Sequence, residues 1–163
     1  MVTRKEWGAV GGRALPDLTH KFRVAIHHTV SANRLWTKAQ EFEHVRQLEQ
    51  QHISQGWTTV GYSFLIFPSG RVYIGRGWGG LPAAQGGENS GSWAIAFVLN
   101  GETKAPSLFA RRKARQLIKT MKEKGARQLG GHFEFPDQAT ACPGAKVKPF
   151  VAKWRADFGL VKP

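Results

Sequence analysis

The chain has 163 residues, 41% of them apolar, and carries 24 Lys and Arg against 11 Asp and Glu, a net charge of +13. That length suits one domain with its own core, the ordinary charged fraction excludes long disorder, and no apolar run of about 18 residues is present to span a bilayer as a helix. One cysteine excludes an internal disulfide, while so large a positive excess attracts polyanions over long range: nucleic acid, anionic lipid or bacterial wall.

The first residues, MVTRKEWGAV, lack the apolar core of a secretory signal. The expectation is a protein kept in a cytosol or released by another route, with a mature fragment or an excised domain as the alternative. VAIHHTV then reads as a strand, and its alternation sends His27 and His28 to opposite faces. TKAQEFEHVRQLEQQHIS reads as a helix with Thr37 as N-cap and Glu41 in its first turns. Phe42, Val45, Glu49, His52 and Ile53 follow its helical spacing. GYSFLIFP, the turn PSG and RVYIGR form a hairpin, with Pro68 and Gly70 as punctuation.

A long glycine-rich connection from Gly77 to Ser92 follows, and loops of that length inside a compact domain are often functional. WAIAFVLN is apolar throughout, as a central strand covered on both faces would be. A helix opens at Ser107 and stops at Gly125, with Ala110, Ala114, Leu117, Ile118 and Met121 as its apolar stripe. Arg111, Arg112, Lys113, Arg115, Lys119 and Lys122 fill its other sides. A last helix covers VKPFVAKWRADF. Helices alternating with strands around one hairpin predict an α/β fold, a single domain over residues 1–163 with a mixed central sheet flanked by helices.

Three side chains stand out chemically. His27 ends a strand, His132 follows two glycines, and Cys142 precedes Pro143-Gly144. Imidazole and thiolate are zinc ligands, and three protein ligands leave a fourth position for water. No CxxC or HExxH spacing is present, so such ligands would converge from distant segments. Read from the residues alone, a packed core histidine and an inert buried thiol remain alternatives.

The segments AIHHTV, HISQGWTTVGYSFLIFPSGRVYIGRGW, NSGSWAIAFVLNG, GHFEF and TACPG, in this order, resemble the type 2 N-acetylmuramoyl-L-alanine amidases. That superfamily includes phage lysins and peptidoglycan recognition proteins, and TRKEWGA is similar to the entry segment of the latter. The resemblance covers roughly residues 3–155; each motif is weak alone, and five in order are specific. It implies zinc on His27, His132 and Cys142, with Tyr62 and Thr140 at the reacting carbonyl; His52 and Trp78 are candidates to line a substrate groove, with an idle helix-end histidine and core packing as the alternatives. Recognition members without activity commonly lack the zinc cysteine, which this chain keeps. It departs from the pattern at Gln85, where many relatives have His, and at Val98 and Asn100, where some carry a catalytic Glu. Glu134 stands where Asp is frequent, and the longer acid is expected to hydrogen-bond a ligand histidine.

The resemblance therefore implies zinc-dependent cleavage of the amide between N-acetylmuramic acid and L-alanine. The missing signal sequence and high basicity favour a monomeric phage endolysin, made in the host cytoplasm and acting on the wall after release, over a bacterial autolysin, which stays the alternative. Its basic surface would bind anionic wall or envelope polymers in place of a separate wall-binding module. A module that binds muropeptides without cutting is the rival reading. Nucleic-acid binding lacks any helix-turn-helix, zinc-finger or RNP-type pattern and is not expected.

Overall fold

A computed structural model describes residues 1–163. A five-stranded sheet forms its centre, in the order β3-β2-β4-β1-β5. The strands are β1 (Arg23–His28), β2 (Phe64–Ile66), β3 (Val72–Ile74), β4 (Ser92–Phe97) and β5 (Gln128–Gly131). Only β3 runs antiparallel, paired to β2 through the predicted hairpin with Phe64 opposite Ile74. β1 lies between β4 and β5, parallel to both, with Ala25 beside Ala94 and His27 beside Ala96. Every residue of β4 is buried, as strands covered on both faces must be.

Helices cover both faces. α2 (Lys38–Ser54) lies over one, and α3 (Leu108–Glu123) and α4 (Lys148–Phe158) cover the other. The α3/α4 face holds the larger apolar cluster, 20 buried residues that include Val24, Ile26, Ile95, Phe97, Ile118, Met121 and Trp154. The stripe expected on α3 is the stripe that is buried. Burial of Leu117, Ile118 and Met121 stabilises the fold by roughly 1.5–3 kcal/mol each relative to exposure. Ser107 caps α3 by accepting from the Ala110 N–H, and Gly125, at φ +107°, ends the run.

The α2 face has a smaller cluster of eight buried residues, among them Trp7, Val45, Leu65 and Tyr73. Here the structure corrects the expected stripe. Glu41 and Leu48 are buried beside the expected Val45, Glu49 and His52, whereas Ile53 is partly exposed. Glu41 accepts from Ser69 and Tyr73 and pairs with Arg71; Glu49 accepts from Thr59 and from the Val10 N–H and pairs with Arg4. Dense hydrogen bonding lets the two carboxylates occupy inward positions that hydrophobic periodicity assigns to apolar residues.

A short helix, α1 (Arg4–Trp7), precedes the sheet, closed by a Thr3–Glu6 capping box. Trp7 is fully buried and donates its indole N–H to the Ile74 carbonyl at 2.9 Å. This pins the entry segment to the hairpin edge. No helix is long and apolar enough to cross a membrane.

Candidate metal centre

Strand parity builds the site. Ala25 and His27 of β1 face the α2 side together with Ala94 and Ala96 of β4, whose small side chains leave room above the sheet for an imidazole. His28 turns to the other face, where its Nδ1 accepts from the Gly101 N–H at 2.9 Å. His132 starts a 3-10 turn directly after β5, and Cys142 follows on the next loop. One donor atom from each of His27, His132 and Cys142 lies within 4.8 Å of the other two, the convergence that the spacing required.

Two glycines permit it. A Cβ on Gly101 would stand 2.0 Å from the Pro143 carbonyl oxygen, and one on Gly144 would stand 2.3 Å from the Gly101 carbonyl carbon. Gly144 also has φ +94°, a left-handed conformation that side chains disfavour. The 142–144 loop therefore rests directly on the backbone that His28 holds, and this contact seats Cys142 beside His27.

Hydrogen bonds orient both imidazoles. His27 Nε2 lies 2.9 Å from Gln85 Oε1, and His132 Nε2 lies 2.8 Å from Gln138 Oε1. An amide oxygen only accepts, so each Nε2 carries the proton and each Nδ1 keeps its lone pair, which at His27 faces Cys142 Sγ. Gln85 is itself buried and donates to the Glu88 carbonyl, while Gln138 donates to the Gly86 and Pro136 carbonyls. The two amides tie the glycine-rich loop to the two histidines.

The donor set fits a tetrahedral ion. Zinc–nitrogen and zinc–sulfur lengths of about 2.05 and 2.3 Å at tetrahedral angles separate the two ligand atoms by about 3.6 Å. His27 Nδ1 and Cys142 Sγ are 3.7 Å apart. Burial and the neighbouring His132 push the His27 pKa down to about 3, so its lone pair stays available at neutral pH. Burial pushes the Cys142 thiol up to about 11, partly opposed by the His28 backbone N–H. Metal entry must then expel the thiol proton.

Around this trio stand the remaining expected residues. The Tyr62 ring is 5.5 Å from His27, centroid to centroid, and burial raises its phenol pKa further, with Cys142 adding to the shift. Thr140 Oγ1 accepts from the Cys142 N–H at 3.2 Å, which leaves the hydroxyl proton free. His52 is buried, accepts on Nδ1 from the Gly61 N–H and lies 5.8 Å from Tyr62. Burial, with Arg76 nearby, lowers its pKa to about 4.

Trp78 does not join them. It packs on the α3 side of the sheet against Phe64 and Trp93, with Lys124 over its ring, because its loop turns behind the hairpin. The exposed aromatic beside the cluster is Trp57, stacked 4.6 Å from His52, which the sequence reading passed over. Glu134 also departs from expectation: its carboxylate takes both bonds from Arg155 and caps the Gly131 N–H. The orienting partners are Gln85 and Gln138. The first position was visible as a departure from the resembled pattern, whereas nothing in the sequence marked the second. Larger hollows, such as the one of about 600 Å³ lined by Arg4, Arg13 and Arg76, contain none of the three candidate ligands.

Comparison with known proteins places the sequence and the fold in one family. The family model described as N-acetylmuramoyl-L-alanine amidase matches residues 22–145. The chain is 30% identical to peptidoglycan-recognition protein SC1a of Drosophila melanogaster, over 94% of this chain and 85% of that protein. The X-ray structure of Apis mellifera PGRP-SA superposes with a TM-score of 0.86 at 30% identity, covering 94% of this chain and 95% of that one. Peptidoglycan recognition protein-LE, solved in complex with tracheal cytotoxin, a monomeric diaminopimelic acid-type peptidoglycan, superposes with a TM-score of 0.85 at 25% identity, over 94% and 93% of the two chains.

Proposed function

The chain belongs to the N-acetylmuramoyl-L-alanine amidase family, and from that premise we propose that it is a zinc-dependent peptidoglycan hydrolase cleaving the amide between N-acetylmuramic acid and the L-alanine of the stem peptide. The observation that carries the reading is the convergence of His27, His132 and Cys142, which would hold the ion, beside the Tyr62 phenol. A zinc ion held there would supply Lewis-acid polarisation of the scissile carbonyl and a more acidic water.

The chain's own groups do the rest. Tyr62, with its phenol kept protonated by burial, is a hydrogen-bond donor rather than a base, suited to the oxyanion that forms when the carbonyl carbon turns tetrahedral. Thr140, whose oxygen is already engaged by the Cys142 N–H, offers its remaining proton to the same region. Gln85 and Gln138 hold the imidazoles in the ligating tautomer. His52 and Trp57 supply an aromatic wall for sugar or peptide. Partners in this reading are bacterial peptidoglycan and, through the net charge of +13, anionic envelope polymers.

The biological setting we infer is that of a phage endolysin, acting as a monomer. Expressed in a bacterial cytoplasm, it should leave cells intact until their membrane is permeabilised. A second reading follows from the names of the relatives, which are recognition proteins: binding of muropeptides without cutting. A defined soluble muramoyl-tripeptide incubated with zinc-loaded protein separates the two. Hydrolysis yields the free tripeptide and the muramic acid carboxylate. Saturable binding with the amide intact supports recognition alone.

A further inference from the structure

Charge is divided unequally among the helices that cover the two faces of the sheet. α2, on the His27 side, carries two basic and three acidic residues. α3 and α4 together carry nine Lys and Arg against two acidic residues, +7 of the molecule's +13. Between α3 and α4 runs a groove of about 270 Å³, lined among others by Leu108, Arg111, Arg112, Arg115, Phe150 and Lys153. Asp157 pairs with Arg115 and Lys153, leaving Arg111 and Arg112 without a carboxylate partner. The Arg111 guanidinium lies over the Phe150 ring at 4.7 Å, and its buried Nε has no hydrogen-bond partner.

Beside this charge sit two large apolar side chains in the first turn of α3, Leu108 at 50% and Phe109 at 61% exposure. Single exposed hydrophobics are common and need no explanation. These two are adjacent, and Leu108 lines the same groove as the free arginines. A soluble polyanion would engage the charges and leave both apolar groups in water. A phospholipid surface satisfies both, with phosphates on the guanidinium and ammonium groups and the apolar side chains at the boundary between headgroups and acyl chains.

We infer that the α3/α4 layer is a docking face for an anionic phospholipid membrane, engaged through Arg111, Arg112, Lys113 and the exposed Lys119 with Leu108 and Phe109 inserted. Because this layer covers the sheet face opposite His27, the docked protein keeps the candidate metal centre open to the far side. With only two apolar side chains inserted, docking is weak and reversible, and high salt releases it. The inference rests on charge placement and exposure, so it holds whether or not the opposite face cuts peptidoglycan.

The test is co-sedimentation of the full zinc-loaded chain with vesicles of phosphatidylcholine alone or mixed with phosphatidylglycerol. The wild type should bind only the anionic vesicles. An Arg112→Gln, Lys113→Gln, Lys119→Gln variant should bind them about a hundredfold more weakly, at roughly fivefold per charge. Leu108→Ser with Phe109→Ser should lose about tenfold or more, at unchanged net charge. Both variants should keep the wild-type thermal midpoint and soluble-muropeptide binding, which separates loss of docking from loss of fold. Binding that ignores phosphatidylglycerol content overturns the inference. So does a serine variant that sediments like wild type and is displaced from vesicles by soluble polyphosphate; the face would then serve soluble polyanions.

Discussion

The two faces of the sheet solve different problems with the same strands. On the α3/α4 side, β1 presents Val24 and Ile26 to a cluster of 20 apolar residues, and the basic residues of α3 lie outside its buried stripe. On the α2 side, β1 presents Ala25 and His27, the apolar cluster holds eight residues, and two glutamates and two histidines are buried in hydrogen-bonded settings. The first face secures the fold, and the second tolerates polar burial because its networks satisfy each group. The lesson is one of placement: the candidate metal centre occupies the face that gives up apolar area, and the larger apolar cluster lies on the other.

Removing a donor breaks this division most severely. Cys142→Ala should abolish stoichiometric zinc and reduce muropeptide turnover to background while leaving the α3/α4 cluster, and so the circular dichroism spectrum, largely intact. Metal analysis beside the spectrum checks it. Full turnover by a metal-free Cys142→Ala protein would remove the metal from the account.

Tyr62→Phe removes one hydroxyl and no ligand. It should keep zinc and lower kcat by an amount equivalent to roughly 2–4 kcal/mol, the usual cost of an oxyanion donor. Single-turnover kinetics with a soluble muropeptide measures this. An unchanged rate would confine Tyr62 to packing.

Acid should probe the His52 network next. The His52 pKa is about 4 in the fold against 6.5 ordinarily. The unfolded chain therefore takes up a proton that the folded one refuses, and unfolding is favoured as pH drops. This contribution is absent above about pH 6.5, grows as pH falls toward 4 and reaches at most about 3 kcal/mol. Urea titrations across that range should show a shallower slope for His52→Gln than for wild type. Equal slopes would mean that His52 is not held neutral.

The smallest effect on the metal-site side belongs to the orienting amides. Gln85→Ala leaves all three ligands and frees the His27 ring to rotate. Zinc affinity, read by competition with a chromogenic chelator, should fall about 10–100-fold. Unaltered affinity would make the 2.9 Å contact incidental.

Sequence and structure meet unevenly along the same divide. The amphipathic α3, the hairpin, the apolar β4 and the opposite orientations of His27 and His28 were all legible, because each rests on local period or parity. β5 escaped notice: QLGG is four residues long, half of them glycine, and is a strand only because β1 pairs with it. The buried Glu41 mimics a polar surface in sequence, since its partner Arg71 lies far along the chain. Within the site, His27, His132 and Cys142 could be named from motifs. Gln138 could not, because a glutamine in a loop has no pattern until His132 is seen 2.8 Å away. Trp78 was misplaced for the converse reason, as an aromatic beside a motif whose loop carries it behind the hairpin.

The central claim is that the His27 face cuts the bond between muramic acid and L-alanine. Mass spectrometry of purified peptidoglycan digested by the zinc-loaded chain addresses it most directly. The account predicts stem peptides released with a free L-alanine amino terminus, glycan strands bearing unsubstituted lactyl carboxylates, and neither product from the Cys142→Ala protein. Glycan strands that keep every stem peptide after digestion by fully zinc-loaded wild type would contradict it.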